Sequence, residues 1–296
     1  MNFSIVTQVK ELEAAKPFIS ASHMGAFCKN STHLLGFCFD GTTSYRPGAR
    51  FGPDALRDAS FGLETFSPYQ NTDLEDYSII DMGNLPIYPS KWKVTNNFFH
   101  MHTKNLNLKE DKIKIVTLGG EHSISYGPIR LHLDQYSDLL LIHLDAHADL
   151  RDGYLDEKYS HASVIRRIWN HLGEKQELIQ YGIRSGTREE FVFMHEHKTL
   201  SSSLEGLLAK LLNTNSDRPI YLTLDLDFFD PSFFPGTGTP EAGGEDFHNF
   251  IKIIKCLKDK NFVGADIVEL APMIDSTGNS AAFAAKVTRE VLLALQ

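Results

Sequence analysis

Short apolar runs that recur along the chain are the feature that most constrains its fold. Seven runs are apolar almost throughout, which suits strands buried on both faces of a sheet. They occupy residues 33–40, 77–85, 112–120, 138–147, 177–185, 219–227 and 261–270. Segments with helical spacing lie between them, such as 52–60, which carries Pro53 near the predicted helix start. The alternation predicts an α/β fold, a three-layer α/β/α domain around a parallel sheet of about eight strands.

The length of the chain leaves room for a second domain, but nothing in the sequence divides it. The 296 residues would fit one large domain or two ordinary ones. The sequence contains no internal repeat and no linker rich in glycine, serine or proline. We therefore predict one domain over residues 1–296, with two smaller α/β domains as the alternative.

Composition and charge exclude several classes of protein. A hydrophobic content of 42% and a charged content of 23% exclude a disordered or low-complexity chain. The net charge of −9 argues against a nucleic acid partner. Three scattered cysteines are too few for a disulfide scaffold. With no signal-peptide pattern and no apolar run of about 20 residues, we predict a cytoplasmic protein without a membrane partner.

Polar residues collect after three of the predicted strands, where open parallel sheets bind their ligands. The motifs are GGEH with His122, DAHAD with Asp145, His147 and Asp149, and DLD with Asp225 and Asp227. Crowded carboxylates cannot all stay ionised unless positive charge offsets their repulsion. A set rich in oxygen ligands and free of thiolates favours Mn²⁺, with Zn²⁺, Co²⁺ or Fe²⁺ as alternatives.

Each motif also has an ordinary structural explanation. A DxD pair often caps a turn, and a histidine after two glycines can simply form a hydrogen bond within its loop. The presence of all three motifs at separate strand ends favours a metal site. A pair of metals lowers the pKa of bound water to about 7, which predicts hydrolysis without identifying the bond that is broken.

Five segments, in this order, resemble the ureohydrolase (arginase/agmatinase) family. They are GGEHS, DAHADL, YSHASV, DLDFFDPSFFPGTGTPEAGG and ADIVELAP. The resemblance runs from about Phe37 to the C-terminus, and residues 40–57, 158–167, 182–185 and 235–244 look most like agmatinase. It implies an arginase-like fold and a homo-oligomer, a trimer or a hexamer.

The resemblance also implies a two-manganese site and the roles of three further residues. One ion would be bound by His122, Asp145, Asp149 and Asp225, and the other by His147, Asp145, Asp225 and Asp227. His161 would be the proton-transfer histidine, although a histidine before a helix is otherwise more often a cap or surface residue. Glu269 would bind the guanidinium of the substrate, with an ordinary salt bridge as the alternative. Glu241 is a weaker candidate for the substrate side, since it could be a solvated loop carboxylate.

Two further features of the sequence concern packing. Phe228, Phe229, Phe233 and Phe234 are interpreted as loop and core residues rather than as a stacking platform. Phe234 and Thr223 differ from the residues that many members of the family carry. We expect these two differences to affect packing without touching a metal ligand.

The implied substrate is a small guanidino compound, and the loop after the DAHAD motif bears on which one. Residues 150–160 do not reproduce the arginase pattern, which favours hydrolysis of agmatine to putrescine and urea over hydrolysis of arginine. Arg151 leaves a guanidino acid such as guanidinobutyrate open. Formimidoylglutamase would need a cation such as Arg151 or Arg184. More remote alternatives are a non-catalytic binding or regulatory member and a one-metal zinc deacetylase.

Overall fold

The computed structural model describes residues 3–9, 12–13, 15–87 and 91–296, without the side chains of residues 94 and 95. Thirteen strands occur in this part of the chain. In chain order they are β1 (Ile5–Gln8), β2 (Ser22–His23), β3 (Ala26–Cys28), β4 (Ser31–Phe37), β5 (Phe66–Ser67), β6 (Thr72–Asp73), β7 (Ile79–Asn84), β8 (Ile113–Gly119), β9 (Leu140–Leu144), β10 (Glu177–Tyr181), β11 (Leu200–Ser201), β12 (Ile220–Asp225) and β13 (Phe262–Val268).

Nine of these strands form one sheet in the order β11-β10-β9-β12-β13-β8-β4-β7-β2. Every neighbouring pair in it is parallel. The predicted parallel sheet is therefore confirmed. It has nine strands because the two edge strands, β2 and β11, contain only two residues each and are too short to be recognised as apolar runs.

Eight α-helices in the described part of the chain cover the sheet. They are α1 (Gly52–Ser60), α2 (Trp92–Thr103), α3 (Tyr126–Gln135), α4 (Val164–Trp169), α5 (Arg188–His197), α6 (Leu204–Asn213), α7 (Phe247–Lys258) and α8 (Asn279–Ala294). Because side chains alternate along a strand, Leu140 and Ile142 pack into one core with α1, α6, α7 and α8. Leu139 and Leu141 pack into a second core with α2, α3, α4 and α5. The three-layer α/β/α architecture is confirmed.

The helix boundaries follow local sequence signals, with one exception. Pro53 lies in the first turn of α1, and Asp246 caps α7 by accepting a hydrogen bond from the Asn249 N–H. The apolar spacing of Val164, Ile165 and Ile168 predicts a helix that ends at Gly173. Helix α4 ends earlier, at Trp169, because the chain then turns more tightly, with hydrogen bonds to carbonyls three residues back. No helix in the described ranges is long and apolar enough to cross a membrane.

Four adjacent strands in the middle of the sheet, β9, β12, β13 and β8, position the site. Since they are parallel, the segments that follow them emerge side by side at one edge. Strand β9 ends at Leu144, so the DAHAD motif lies beyond the strand instead of continuing it. Asp149 even has a left-handed backbone, with φ +54°. The side chains of this motif are therefore brought together by a loop and not by the alternation of side chains along a strand. The extent of one domain over residues 1–296 stays a prediction.

Candidate active site

A cavity of about 270 Å³ opens at the carboxyl ends of these four strands. We call its floor the residues at the end of these strands or shortly after it, namely His122, Asp145, His147, Asp149, Asp225, Asp227 and Glu269. We call its rim the residues from loops 41–46, 150–161 and 235–244, namely Ser44, Arg151, Tyr154, His161, Thr239 and Glu241. The floor and the rim together contain every metal and substrate residue predicted from the sequence.

The backbone turns sharply after β8 and β12 to present the floor residues. A Cβ atom on Gly120 would lie 1.9 Å from the carbonyl oxygen of Phe39, so only glycine fits between β8 and the turn that starts at His122. Asp225 is the last residue of β12, and its Oδ1 accepts a hydrogen bond from the Asp227 N–H at 2.9 Å. Both aspartates of the DLD motif are thereby fixed by the same turn.

Three carboxylates surround the first histidine of the floor. His122 Nδ1 lies 3.0 Å from Asp145 Oδ2, 3.1 Å from Asp149 Oδ2 and 3.3 Å from Asp225 Oδ2. All four side chains are buried. These are the four residues expected to bind one ion, and the structure brings them together.

A second group adjoins the first and shares Asp145 with it. His147 Nδ1 lies 3.0 Å from Asp227 Oδ2 and 3.6 Å from Asp145 Oδ1. Asp145 therefore turns one oxygen toward each histidine, as a bridging ligand does. Asp225 directs Oδ2 toward His122 and Oδ1 toward the turn of Asp227. All six predicted metal residues lie in one cluster.

The atoms of the cluster fit metal ions better than they fit one another. His122 Nδ1 and Asp227 Oδ2 are buried and make no hydrogen bond within the described residues, although each has close nitrogen or oxygen neighbours. Buried polar atoms are normally hydrogen-bonded. Nitrogen and oxygen atoms that lie close together without forming hydrogen bonds to each other are instead suited to coordinate a shared cation. Oxygen and imidazole donors without a thiolate match Mn²⁺ and similar divalent ions.

The electrostatics of the cluster also call for positive charge. Burial lowers the pKa of His122, but contacts with Asp145, Asp149 and Asp225 outweigh it and hold this pKa well above its usual value. Burial, together with the charges of Asp227 and Asp145, raises the pKa of Asp225 far above its usual range. The cluster therefore retains protons, which a metal ion would have to displace.

Sequence reasoning missed His143, which supports the shared aspartate. His143 Nε2 lies 2.7 Å from Asp145 Oδ2, and Gln180 Nε2 lies 3.1 Å from His143 Nδ1. The signal was present, because His143 lies on β9, two residues before Asp145. His143 also lies within reach of the first group of possible metal ligands.

The expectation that Thr223 does not touch a metal ligand was wrong. Thr223 Oγ1 lies 2.9 Å from His122 Nε2 and donates a hydrogen bond to Asp266 Oδ1 at 2.6 Å. Thr223 precedes Asp225 by two residues on β12, so both side chains share one side of the strand. A hydroxyl and a buried carboxylate thus support the outer nitrogen of His122, as second-layer partners of metal-binding histidines do.

Glu269 lies in the floor directly after β13. Its Oε1 accepts a hydrogen bond from the His122 N–H at 2.8 Å, and its own N–H donates to the Gly120 carbonyl at 2.9 Å. Its φ of +68° is rare for a residue other than glycine and often marks a functional position. Burial, followed by the charge of Glu121, raises the pKa of Glu269 well above its usual value.

The two remaining predicted residues lie at the rim. His161 begins a short 3₁₀ turn and is half-buried, facing the cavity. Its backbone N–H donates to Thr42 Oγ1 at 3.0 Å. Glu241 is 43% exposed, and its Oε1 lies 3.9 Å from His147 Nε2. Both are close enough to the floor to meet a substrate, but Glu241 is the more solvated of the two.

The two arginines considered as anion receptors are already engaged. Arg184 Nη2 donates to the carbonyls of Asp227 at 2.7 Å and Glu241 at 2.8 Å, so it fastens the loops to each other. Arg151 lies over the ring of Tyr154 at 4.6 Å, with Nε 3.9 Å from Glu190 Oε2. The packing interpretation of Phe228, Phe229 and Phe234 agrees with their full burial, whereas Phe233 is half-exposed.

Comparison with known proteins gives consistent matches over most of the chain. The model of the arginase family matches residues 30–294. The agmatinase of Bacillus cereus is 37% identical over 287 residues, which cover 96% of this chain and 97% of that one. The agmatinase of Bacillus subtilis is 38% identical over 264 residues, 88% of this chain and 90% of that one. The crystal structure of a Clostridium difficile protein proposed to be an agmatinase is 41% identical, with a TM-score of 0.84 and coverage of 90% and 97%.

Proposed function

Because the chain belongs to the arginase family and is an agmatinase-like hydrolase of guanidino C–N bonds, we propose that its substrate is agmatine. The products would be putrescine and urea. The family expected from the sequence motifs is confirmed, and the remaining question is which guanidino compound fits the cavity.

The charged residues that line the cavity favour agmatine as the substrate. Of the carboxylates in its lining, Asp149 and Asp225 would be metal ligands, which leaves Glu190 and Glu269 beside a substrate. Arg151 is the one arginine or lysine among the described residues that line the cavity. The guanidinium of Arg151 is already occupied by the Tyr154 ring and the Glu190 carboxylate. Agmatine has a cation at each end and no carboxylate, so it suits a cavity whose described lining offers no free cation to a carboxylate.

We propose that the floor binds two manganese ions. His122, Asp145, Asp149 and Asp225 would hold one, and His147, Asp145, Asp225 and Asp227 would hold the other. When bound, such a pair would activate water as the nucleophile and stabilise the oxygen that adds to the guanidino carbon. His122 Nδ1 and Asp227 Oδ2, which are buried without a hydrogen bond among the described residues, support this assignment.

The other steps fall to side chains of the chain itself. The Glu269 carboxylate would accept N–H groups of the guanidinium and orient its carbon toward the nucleophile. Oxygen from water adds to that carbon, the bond to the alkyl nitrogen breaks, and this nitrogen takes a proton. His161 would deliver the proton, since an imidazole can both accept a proton and donate it. Glu241 would lie on the substrate side of the cavity.

A substrate panel tests the proposal. Manganese-loaded protein is incubated separately with agmatine, arginine, guanidinobutyrate and formiminoglutamate, and urea and formamide are measured. We expect agmatine to be preferred in kcat/KM by about tenfold or more, which corresponds to about 1.4 kcal/mol of selectivity. Arginine as the best substrate would overturn the proposal, and so would a preference for guanidinobutyrate or formiminoglutamate.

Two of the alternatives conflict with specific contacts. A formimidoylglutamase would need a free cation for the glutamate end, but Arg184 is committed to backbone carbonyls. A one-metal deacetylase would leave the second group, Asp145, His147 and Asp227, without a cation. Uptake of two divalent ions per chain, measured by elemental analysis, would also argue against a non-catalytic member. The cytoplasmic location and the trimer or hexamer stay predictions.

A further inference from the structure

Glu121 is a fully buried carboxylate beside the floor that the proposed reaction does not use. Its two oxygens receive four hydrogen bonds. Oε2 accepts from the Thr42 N–H at 2.8 Å and from the Thr43 hydroxyl at 3.2 Å. Oε1 accepts from the Thr42 hydroxyl at 2.5 Å and from the Ser123 hydroxyl. Four donors converge on this carboxylate, and three of them come from the loop that forms one side of the rim.

Thr42 connects Glu121 to His161. Its Oγ1 accepts the His161 backbone N–H at 3.0 Å and lies 3.3 Å from His161 Nδ1. The other ring nitrogen, Nε2, is on the far side of the imidazole, where Ser44 Oγ lies 3.4 Å away. One hydroxyl thus fixes both the backbone and the ring of the histidine expected to transfer a proton.

The number of hydrogens available at Thr42 Oγ1 decides which atom donates in each of these hydrogen bonds. A threonine hydroxyl has one hydrogen to donate and two lone pairs that accept. The His161 backbone N–H can only donate, so it occupies one lone pair. The hydroxyl hydrogen points to Glu121, which is closer than His161 Nδ1, at 2.5 Å against 3.3 Å, and is the stronger acceptor. The second lone pair then faces Nδ1, which must carry a hydrogen to make a bond.

We propose that Glu121, acting through Thr42, is a positioning residue that holds neutral His161 in the tautomer with its hydrogen on Nδ1. Nε2 is then the nitrogen that takes up a proton released by the attacking water and passes it to the departing amine, after which the ring returns to the same tautomer. The role in proton transfer rests on the proposed hydrolysis, whereas the tautomer itself does not.

The loop supplies a matched pair of variants. Thr42→Val removes the hydroxyl that links Glu121 to His161 but leaves the Thr42 N–H bond to Glu121. Thr43→Val removes a hydroxyl from the same carboxylate without touching His161. We expect Thr42→Val to lower kcat on agmatine by about 10²-fold, the scale of general acid catalysis, with unchanged metal content. KM should stay within about twofold, because the lost contact serves the transition state. Thr43→Val and Thr42→Ser should stay within about threefold of the parent kcat.

Glu121→Gln tests the direction of the bonds. Its amide can donate to Thr42 Oγ1, which would turn the hydroxyl hydrogen toward His161 Nδ1 and favour the opposite tautomer. The readout is nitrogen NMR of the full-length protein with ¹⁵N-labelled histidine, loaded with diamagnetic Zn²⁺. The His161 signals are identified by their loss in His161→Asn. We expect hydrogen on Nδ1 in the parent protein and on Nε2 in Glu121→Gln.

Several results separate this proposal from the proposed function. Hydrogen on Nε2 of His161 in the parent protein overturns the proposal, and so does an equal loss of kcat in Thr42→Val and Thr43→Val. If the parent protein releases no urea from agmatine, the proposed function fails while the NMR result still decides the tautomer. If Glu121→Gln does not fold, the parent spectrum and the threonine pair decide the matter.

Discussion

The floor of the cavity lies at the ends of four hydrogen-bonded neighbouring strands. Its rim comes from three loops outside the sheet, which side-chain contacts and isolated backbone hydrogen bonds, such as that from the Arg151 N–H to the Ala162 carbonyl, hold in place. In the floor, Asp145 and Asp227 are almost completely buried. At the rim, the Arg151 and Glu241 side chains are 39% and 43% exposed. A difference of this kind indicates a division of labour, in which the floor together with His161 carries out the reaction and the exposed residues of the rim select the substrate. Substitutions in the two regions should therefore differ in both size and kind.

The largest effect is expected for Asp145→Asn, because Asp145 is the residue that faces both histidines of the floor. Its loss should weaken both metal positions and lower kcat/KM by about 10³-fold or more, since activation of water depends on the ions. Metal per chain after gel filtration and kcat/KM on agmatine are the two measurements. Asp134→Asn, the same substitution at an exposed ion pair on α3, is the control and should change neither. Full metal content in Asp145→Asn would mean that the floor is not the metal site.

Metal affinity should depend strongly on pH. Burial opposes protonation of His147, but the charge of Asp227 and contacts with Asp145 outweigh it and raise its pKa, as the three carboxylates do for His122. Since only neutral imidazole binds a metal, the ion must displace these protons, and affinity should rise with pH. Each displaced proton contributes about tenfold per pH unit. Equilibrium dialysis of Mn²⁺ should show affinity still rising between pH 7 and pH 8. A plateau above about pH 7 would indicate histidines with ordinary pKa values.

A smaller effect is expected one layer behind the floor. Thr223→Val removes the hydroxyl that joins His122 Nε2 to Asp266 and should weaken metal binding by about 10–100-fold. Thr223→Ser keeps the hydroxyl and should restore affinity to within about threefold of the parent value. Competition with a chelator measures the metal affinity of both variants. Equal weakening in the two variants would show that the methyl group of Thr223 matters more than its hydrogen bond.

The floor could be predicted from the sequence because it follows from a regular structure. Parallel strands bring their carboxyl ends to one edge, so motifs 80 residues apart, such as those of Asp145 and Asp225, meet without any knowledge of the loops. The supporting residues were harder to find. His143 and Thr223 look like ordinary strand residues, and only the pairing of β9 with β12 places both beside the ligands.

The rim could not be predicted from the sequence in the same way. The sequence leaves both Arg151 and Arg184 open as anion receptors. The structure shows that Arg151 contacts Tyr154 and Glu190 and that Arg184 donates to backbone carbonyls. Likewise, no spacing rule links Thr42 to His161, which are 119 residues apart and meet through loops. Loop positions depend on side-chain packing that local sequence patterns do not encode.

At the rim, Arg151→Gln should change the preference among substrates rather than kcat. Removing a half-exposed positive charge frees Glu190 and should lower KM for agmatine by a few-fold, an effect of about 1 kcal/mol or less. Metal content should not change, because Arg151 touches no floor residue in the contacts described. Steady-state kinetics on agmatine and guanidinobutyrate decide the matter. A rise of more than about tenfold in KM for guanidinobutyrate alone would identify Arg151 as a carboxylate receptor and favour a guanidino acid as substrate.

The smallest effect is expected for Glu241→Gln. The Glu241 carboxylate is well solvated and 3.9 Å from His147 Nε2, so water and salt screen its attraction for a cationic substrate. KM for agmatine should rise by less than about fivefold at low salt, and the difference should shrink at high salt, with kcat unchanged. Its backbone carbonyl, which anchors Arg184, survives the substitution, so the loop should keep its position. A large fall in kcat would place Glu241 with the floor and blur the division between the two regions.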